Sequence, residues 1–167
     1  MPNPNKAHGF IAEFSLGDGQ IPLFSGATRS NASFADGDAL LVSGGLISIA
    51  PAGTRKIVGV AAHAVVGAVG IRQNVLFVPA LETIVFSGQY GSATSLLFTQ
   101  GIVWSRRNFV GATGVQRLTN GVAASTAIAW IVGLRRQSAF GTYGEAMFIW
   151  SRSAFSNRNN HTIAGAV

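Results

Sequence analysis

The feature that most narrows what this chain can fold into is a short apolar stretch around a glycine, and it occurs twice. Arg55-Lys56-Ile57-Val58-Gly59-Val60 is the first copy and Ile131-Val132-Gly133-Leu134 the second. Their surroundings repeat as well. Leu41-Val42, a Gly44-Gly45 turn and Leu46-Ile47-Ser48-Ile49 precede the first copy. Phe109-Val110, a turn through Gly111 and Gly114, and Val115-Gln116-Arg117-Leu118 precede the second. Downstream, each copy is followed by a glycine-containing loop and an apolar strand, Val75-Leu76-Phe77-Val78 in one case and Ala146-Met147-Phe148-Ile149 in the other. This succession, run through twice, reads as an internal repeat of one β unit whose loops differ in length. A glycine inside a strand weakens it and marks a bulge, a bend or a close backbone approach. Gly59 and Gly133 are therefore predicted to be structural, at bends of a small barrel, and a valine at either is expected to disturb folding more than a surface change.

The remaining segments read as short strands between turns. Phe10 to Leu16 is a strand with Phe10, Ala12, Phe14 and Leu16 on one face, although Ile11 blurs the alternation. Ile21 to Phe24 contains Pro22, which has no backbone donor, so it suits an edge. Ala39–Val42 and Leu46–Ile49, joined through Ser43-Gly44-Gly45, form a hairpin signal. Residues 63–73 leave helix and strand-plus-turn both open, with Gly67 and Gly70 arguing for the turn. Val75 to Val78, Thr83 to Ser87 and the long apolar run Ser95 to Trp104 complete the set. No stretch keeps a helical period between caps, so the class is all-β: a small barrel or sandwich of two similar units, with extended N- and C-terminal arms. The expected division is an arm with an edge strand over 1–35, a barrel over 36–150 containing repeat units 36–80 and 108–150, and an arm over 151–167.

Composition bears on partners. Apolar residues make up 48% of the chain and charged ones only 11%, with a mean hydropathy of +0.36. So much apolar surface is hard for a monomer of 167 residues to hide, and exposed apolar patches mark contacts with other molecules. No window has the roughly 18 apolar residues of a spanning helix, and the strands look too short and few for a transmembrane barrel. No basic, apolar and cleavage-site series opens the chain, so no secretory signal is expected. The net charge of +6 is spread in ones and twos, such as Arg106-Arg107 and Arg135-Arg136, rather than clustered among aromatics. That pattern argues against a nucleic-acid binder, and such a basic subunit would be drawn to an acidic surface.

Catalytic constellations are missing from the sequence. The six carboxylates are dispersed, and Asp36-Gly37-Asp38 reads as a turn rather than a calcium loop. His8, His63 and His161 have no metal-ligand spacing, and there is no cysteine. No nucleophile elbow, phosphate loop or dinucleotide fingerprint occurs. The expectation is a protein that is not an enzyme and takes no cofactor or metal. Trp104, Trp130 and Trp150 are expected as core or interface anchors, with a sugar-stacking platform as the alternative use.

One stretch resembles a known family. Gly37-Asp38-Ala39-Leu40-Leu41-Val42, then Gly45-Leu46-Ile47-Ser48-Ile49-Ala50, then Ile57-Val58-Gly59-Val60-Ala61 and a Val/Phe strand are similar to the small β-barrel decoration, or cement, proteins of tailed-phage capsids. The resemblance spans residues 36–80, and reaches 108–150 only through the repeat, which departs from single-barrel members. It implies a structural protein on the outer face of an icosahedral virion, with the major capsid protein and neighbouring copies of itself as partners; a trimer is preferred over a monomer because threefold positions suit closed rings. The arms then become candidate capsid contacts through Pro2, Pro4, Phe10, Phe14, Arg152, Phe155 and Arg158. A minor head component, a surface-displayed carbohydrate-binding β-module and a nucleic-acid-binding barrel using Arg55, Arg72, Arg106 and Arg135 are the competing expectations.

Overall fold

The computed structural model describes residues 9–17, 19–54, 56–90, 106–107, 109–119, 128–136, 144–151 and 153–155. The expected strand from Ser95 to Trp104 lies outside them, as do Pro2, Pro4, Arg55, Arg152 and Arg158. All regular structure among the described residues is β. The strands are β1 (Phe10–Ser15), β2 (Phe24–Ala27), β3 (Ala39–Ser43), β4 (Leu46–Ile49), β5 (Ile57–Ala61) and β6 (Asn74–Pro79). They continue with β7 (Ile84–Gln89), β8 (Arg106–Arg107), β9 (Phe109–Val110), β10 (Arg117–Leu118), β11 (Ala129–Arg136) and β12 (Glu145–Trp150). Every strand pair is antiparallel.

Two five-stranded sheets pack face to face, one ordered β2-β6-β5-β3-β4 and the other β1-β7-β12-β11-β8, with β9 and β10 as a separate pair. The chain path is related in the two halves. In the first, the lateral order by position in the unit is first, fifth, fourth, second, third. In the second, β7-β12-β11-β8 follows that order as far as β8, and β9, which comes next in the chain, pairs with β10 in a separate sheet. A parallel bridge then joins the first strand's end to the third strand in each unit, Thr28 to Ile47 and Tyr90 to Leu118. Each sheet therefore curls toward a small barrel. Each unit begins one strand earlier than the sequence pattern, at β2 and at β7. The extra strand β1 extends the second sheet beside β7.

The β3–β4 connection shows why the hairpin forms where it does. Gly44 and Gly45 have φ of 61° and 76°, the two-residue turn whose twist matches the flanking strands. Both Val-Gly strands carry bulges. Between Leu40↔Gly59 and Leu41↔Ile57 the extra residue is Val58, and between Ile131↔Phe148 and Gly133↔Met147 it is Val132. β1 has a bulge as well, between Ala12 and Phe14. It turns Phe14 to the outer side of its sheet, opposite Val85 and 44% exposed, so the expected shared face of Phe10, Ala12, Phe14 and Leu16 breaks at that point.

Two cores result. The larger lies between the sheets and takes Phe10, Ile57, Val60, Val78, Phe86, Phe109, Ile131, Phe148 and Trp150. Its centre is aromatic: Phe10 meets Phe148 and Trp150 edge-on with ring centroids 5.3 and 5.4 Å apart, and Phe148 meets Trp150 at 4.9 Å. Such offset geometries match ring quadrupoles and add to the area these side chains bury. The smaller core fills the first unit with Phe34, Leu40, Ile47, Val58, Ala61, Val65, Val75 and Phe77. With a core on both sides, all five residues of β5 are buried, which explains its uninterrupted apolar sequence. After β12 the chain stays attached to the first unit, since Ser153 bridges Ile57 and Ala154 N donates to Ile57 O at 2.8 Å.

Candidate functional surface

Among the described residues, two groups of polar side chains tie strands of different parts of the fold together. The first is a buried clasp between the units. Asp38, from the turn before β3, is fully buried and accepts hydrogen bonds from Ala35 N at 2.9 Å and from Gly114 N at 2.9 and 3.1 Å. Gln116, on the loop before β10, reaches back. Its Oε1 accepts from Ala39 N at 2.6 Å and its Nε2 donates to Ala50 O at 3.0 Å. Burial pushes the Asp38 carboxyl above its ordinary value, and the amides of Ala35 and Gly114 pull it partly back. The Asp36-Gly37-Asp38 segment is thus a turn, with Gly37 at φ 82°, whose second carboxylate holds backbone amides.

The second group lies on the outer face of the β1-containing sheet. Arg135 Nη1 lies 2.7 Å from Glu13 Oε1 and donates to Ser87 Oγ at 3.2 Å, while its Nε is 3.9 Å from Glu145 Oε2. Ser87 Oγ donates in turn to Glu13. The guanidinium lies between the two carboxylates and ties β1, β7, β11 and β12 together. Among the described residues, no three His, Cys, Asp or Glu side chains stand close enough to share a metal ion.

The residues singled out from sequence fall in different settings. Gly59 lies where a Cβ would sit 2.3 Å from Val78 O and 2.5 Å from Phe77 Cδ2. At Gly133 the nearest atom to a Cβ would be Met147 Cε, at 2.8 Å. Phe10, expected among the arm residues, is 1% exposed, and its ring belongs to the aromatic core. Phe14 is on the surface, and Phe155, 44% exposed, stands edge-on to Phe24 at 6.0 Å. Trp150 is wholly buried and Trp130 half-buried, so neither is an exposed sugar platform; Trp104 lies outside the described residues. No membrane-spanning helix occurs among the described residues.

The most exposed aliphatic group among the described residues is not evident from the sequence. Val66, Val69 and Ile71 are 79%, 87% and 57% exposed, on the loop between β5 and β6. The available signal was a run of small and β-branched residues without charge between His63 and Arg72.

Fold and surface together define an all-β sandwich of two like-connected units, braced by polar clasps and carrying apolar side chains on its outside. No protein-family model and no curated protein sequence matches the chain. Among solved structures, the chain is similar to the N-terminal base of head fiber gp8.5 of bacteriophage phi29, with a TM-score of 0.46 and 19% identity. The match covers 81% of this chain and 99% of that one.

Proposed function

We propose that this chain is a structural protein of a tailed-phage virion that binds the outside of the assembled icosahedral capsid and stabilises contacts between capsomers. The observation that carries the reading is that the segment resembling cement proteins, residues 37–61, forms a hairpin and bulged strand within one curled β unit. The exposed aliphatic side chains around that unit support it, because a subunit that covers a shell needs apolar contact area. The major capsid protein and neighbouring copies of this chain, in a trimer, are the partners of this reading.

The physical basis is mass action. A ligand that binds only the assembled lattice stabilises it by about 2.7 kcal/mol per site at a hundredfold excess over Kd. Many copies engaging together add avidity. The test is co-sedimentation of purified protein with capsids from particles lacking it, and with unassembled capsid subunits. Binding to capsids, with little to free subunits and a raised capsid melting temperature, is the expected result. No binding to capsids would refute the reading.

A further inference from the structure

The loop between β5 and β6 is built as a rigid projection. Its base is pinned by reciprocal backbone bonds, Phe34 N to Val65 O at 3.0 Å and Val65 N to Phe34 O at 2.8 Å. Higher up, Gly67 N donates to Ser33 Oγ at 2.9 Å and Asn31 N donates to Ala68 O at 3.3 Å. The two loops touch so closely that a Cβ on Gly67 would lie 2.4 Å from Asn31 C. A bridge between Ala68 and Ile71 closes the tip, with Gly70 at φ 74°. Gln73 and Thr28 exchange bonds on the far side, Thr28 N to Gln73 O at 2.8 Å and Gln73 N to Thr28 Oγ1 at 3.0 Å. Val65 faces inward to the core, which leaves Val66, Val69 and Ile71 outside.

Apolar side chains held this far into solvent by so many bonds do not serve the loop's own folding. β-Branched side chains on a fixed backbone have little rotamer freedom left to lose on binding. The charged residues next to the tip and to the top of the supporting loop in sequence are basic, with exposed Asp36 further down at the loop's base. Arg72 adjoins the tip and Arg29 adjoins the supporting loop, both exposed, and no carboxylate occurs in sequence between Asp38 and Glu82. Arg29 donates to Ser43 Oγ at 2.8 Å, and neither guanidinium has an ion-pair partner among the described residues.

We propose that Val66, Val69 and Ile71 form a knob that seats in an apolar pocket with an acidic rim on a partner protein. Resting on the capsid reading above, that pocket belongs to the capsid subunit. A protein pocket is favoured over a lipid surface because residues 62–73 contain no Trp, Tyr or Phe to anchor at a bilayer interface and a single cation, Arg72, where membrane-binding segments cluster several. Complementary charge speeds encounter and rejects wrong partners, while the buried aliphatics supply the affinity.

The experiment compares wild type, Val69→Asp, Val69→Ser, Arg72→Glu and, as a control on another exposed aliphatic, Leu16→Asp. Binding is measured to capsids stripped of this protein, to phosphatidylcholine vesicles and to mixed phosphatidylcholine–phosphatidylserine vesicles. Melting is recorded for every variant, and Val69→Ser replaces Val69→Asp if the latter melts early. Wild type is expected to bind capsids and neither vesicle. Either Val69 variant should weaken capsid binding about tenfold or more, Arg72→Glu should weaken it mainly at low salt, and Leu16→Asp should bind as wild type. Undiminished binding by folded Val69 variants, an equal loss in Leu16→Asp, or wild-type binding to vesicles that Val69→Asp abolishes would each overturn the knob. If wild type itself ignores capsids, the capsid reading fails and the knob's partner with it.

Discussion

Replacing Gly59 tests how the bulged strand is packed. An alanine there puts a methyl 2.3 Å from Val78 O and 2.5 Å from Phe77 Cδ2. Ordinary contact begins about an ångström further out, and the carbonyl belongs to the backbone of the neighbouring strand, so β5 and β6 must part. Overpacking of this kind costs roughly 1–3 kcal/mol, from which the lower unfolded-state entropy of alanine returns about 0.4–1 kcal/mol. The net loss is about 1–2 kcal/mol, and at roughly 2–4 °C per kcal/mol for a chain of this size the melting temperature should fall by about 2–8 °C. Gly133 provides the contrast. Its Cβ would meet only the flexible end of Met147, which can swing aside, so Gly133→Ala should stay within about 0.5 kcal/mol of wild type. Urea denaturation of both variants, with unchanged m-values, measures the difference. Equal stability of the two, or a larger loss at Gly133, would refute the reasoning.

Two further predictions concern the inter-unit clasp. Asp38 has a native pKa above its ordinary 3.8, so the native state holds this proton to higher pH than the unfolded chain does. The stability this confers is fully present below the unfolded value and is lost as pH rises through the native one. Wild type should therefore lose stability relative to Asp38→Asn as pH climbs from 3.8 toward neutrality; parallel melting profiles would contradict the linkage. Gln116→Ala strips buried partners from Ala39 N and Ala50 O, which should cost about 2–4 kcal/mol, read as a lower denaturation midpoint; a change below about 0.5 kcal/mol would mean that the clasp carries no load.

Much of the β layout was legible because it depends on local chemistry. Gly44-Gly45 dictates its turn, Pro79 closes a strand, and the Val-Gly strands announce themselves twice. Sheet membership was not legible, because it is settled by contacts distant in sequence: nothing local in Ile84–Gln89 reveals that it lies between β1 and β12. The bulge after Ala12 was hidden for the same reason, since the residue count along β1 is fixed by its register with β7. The surface clusters were the least visible. Glu13, Ser87, Arg135 and Glu145 come from four strands, and Asp38 and Gln116 from different units, so their spacing in sequence carried no signal. The exposure of the tip carried no signal because valine and isoleucine in a short run read equally well as core, although Gly67 and Gly70 did favour the turn found there.

The central claim, that this chain fastens capsomers from outside, is tested most directly by electron cryomicroscopy of virions with and without it. The account expects a difference map with density on the outer surface, repeated across the lattice and straddling junctions between capsomers, with the β5–β6 loop pointing into the shell. Identical particles, or difference density confined to a single vertex, would contradict it.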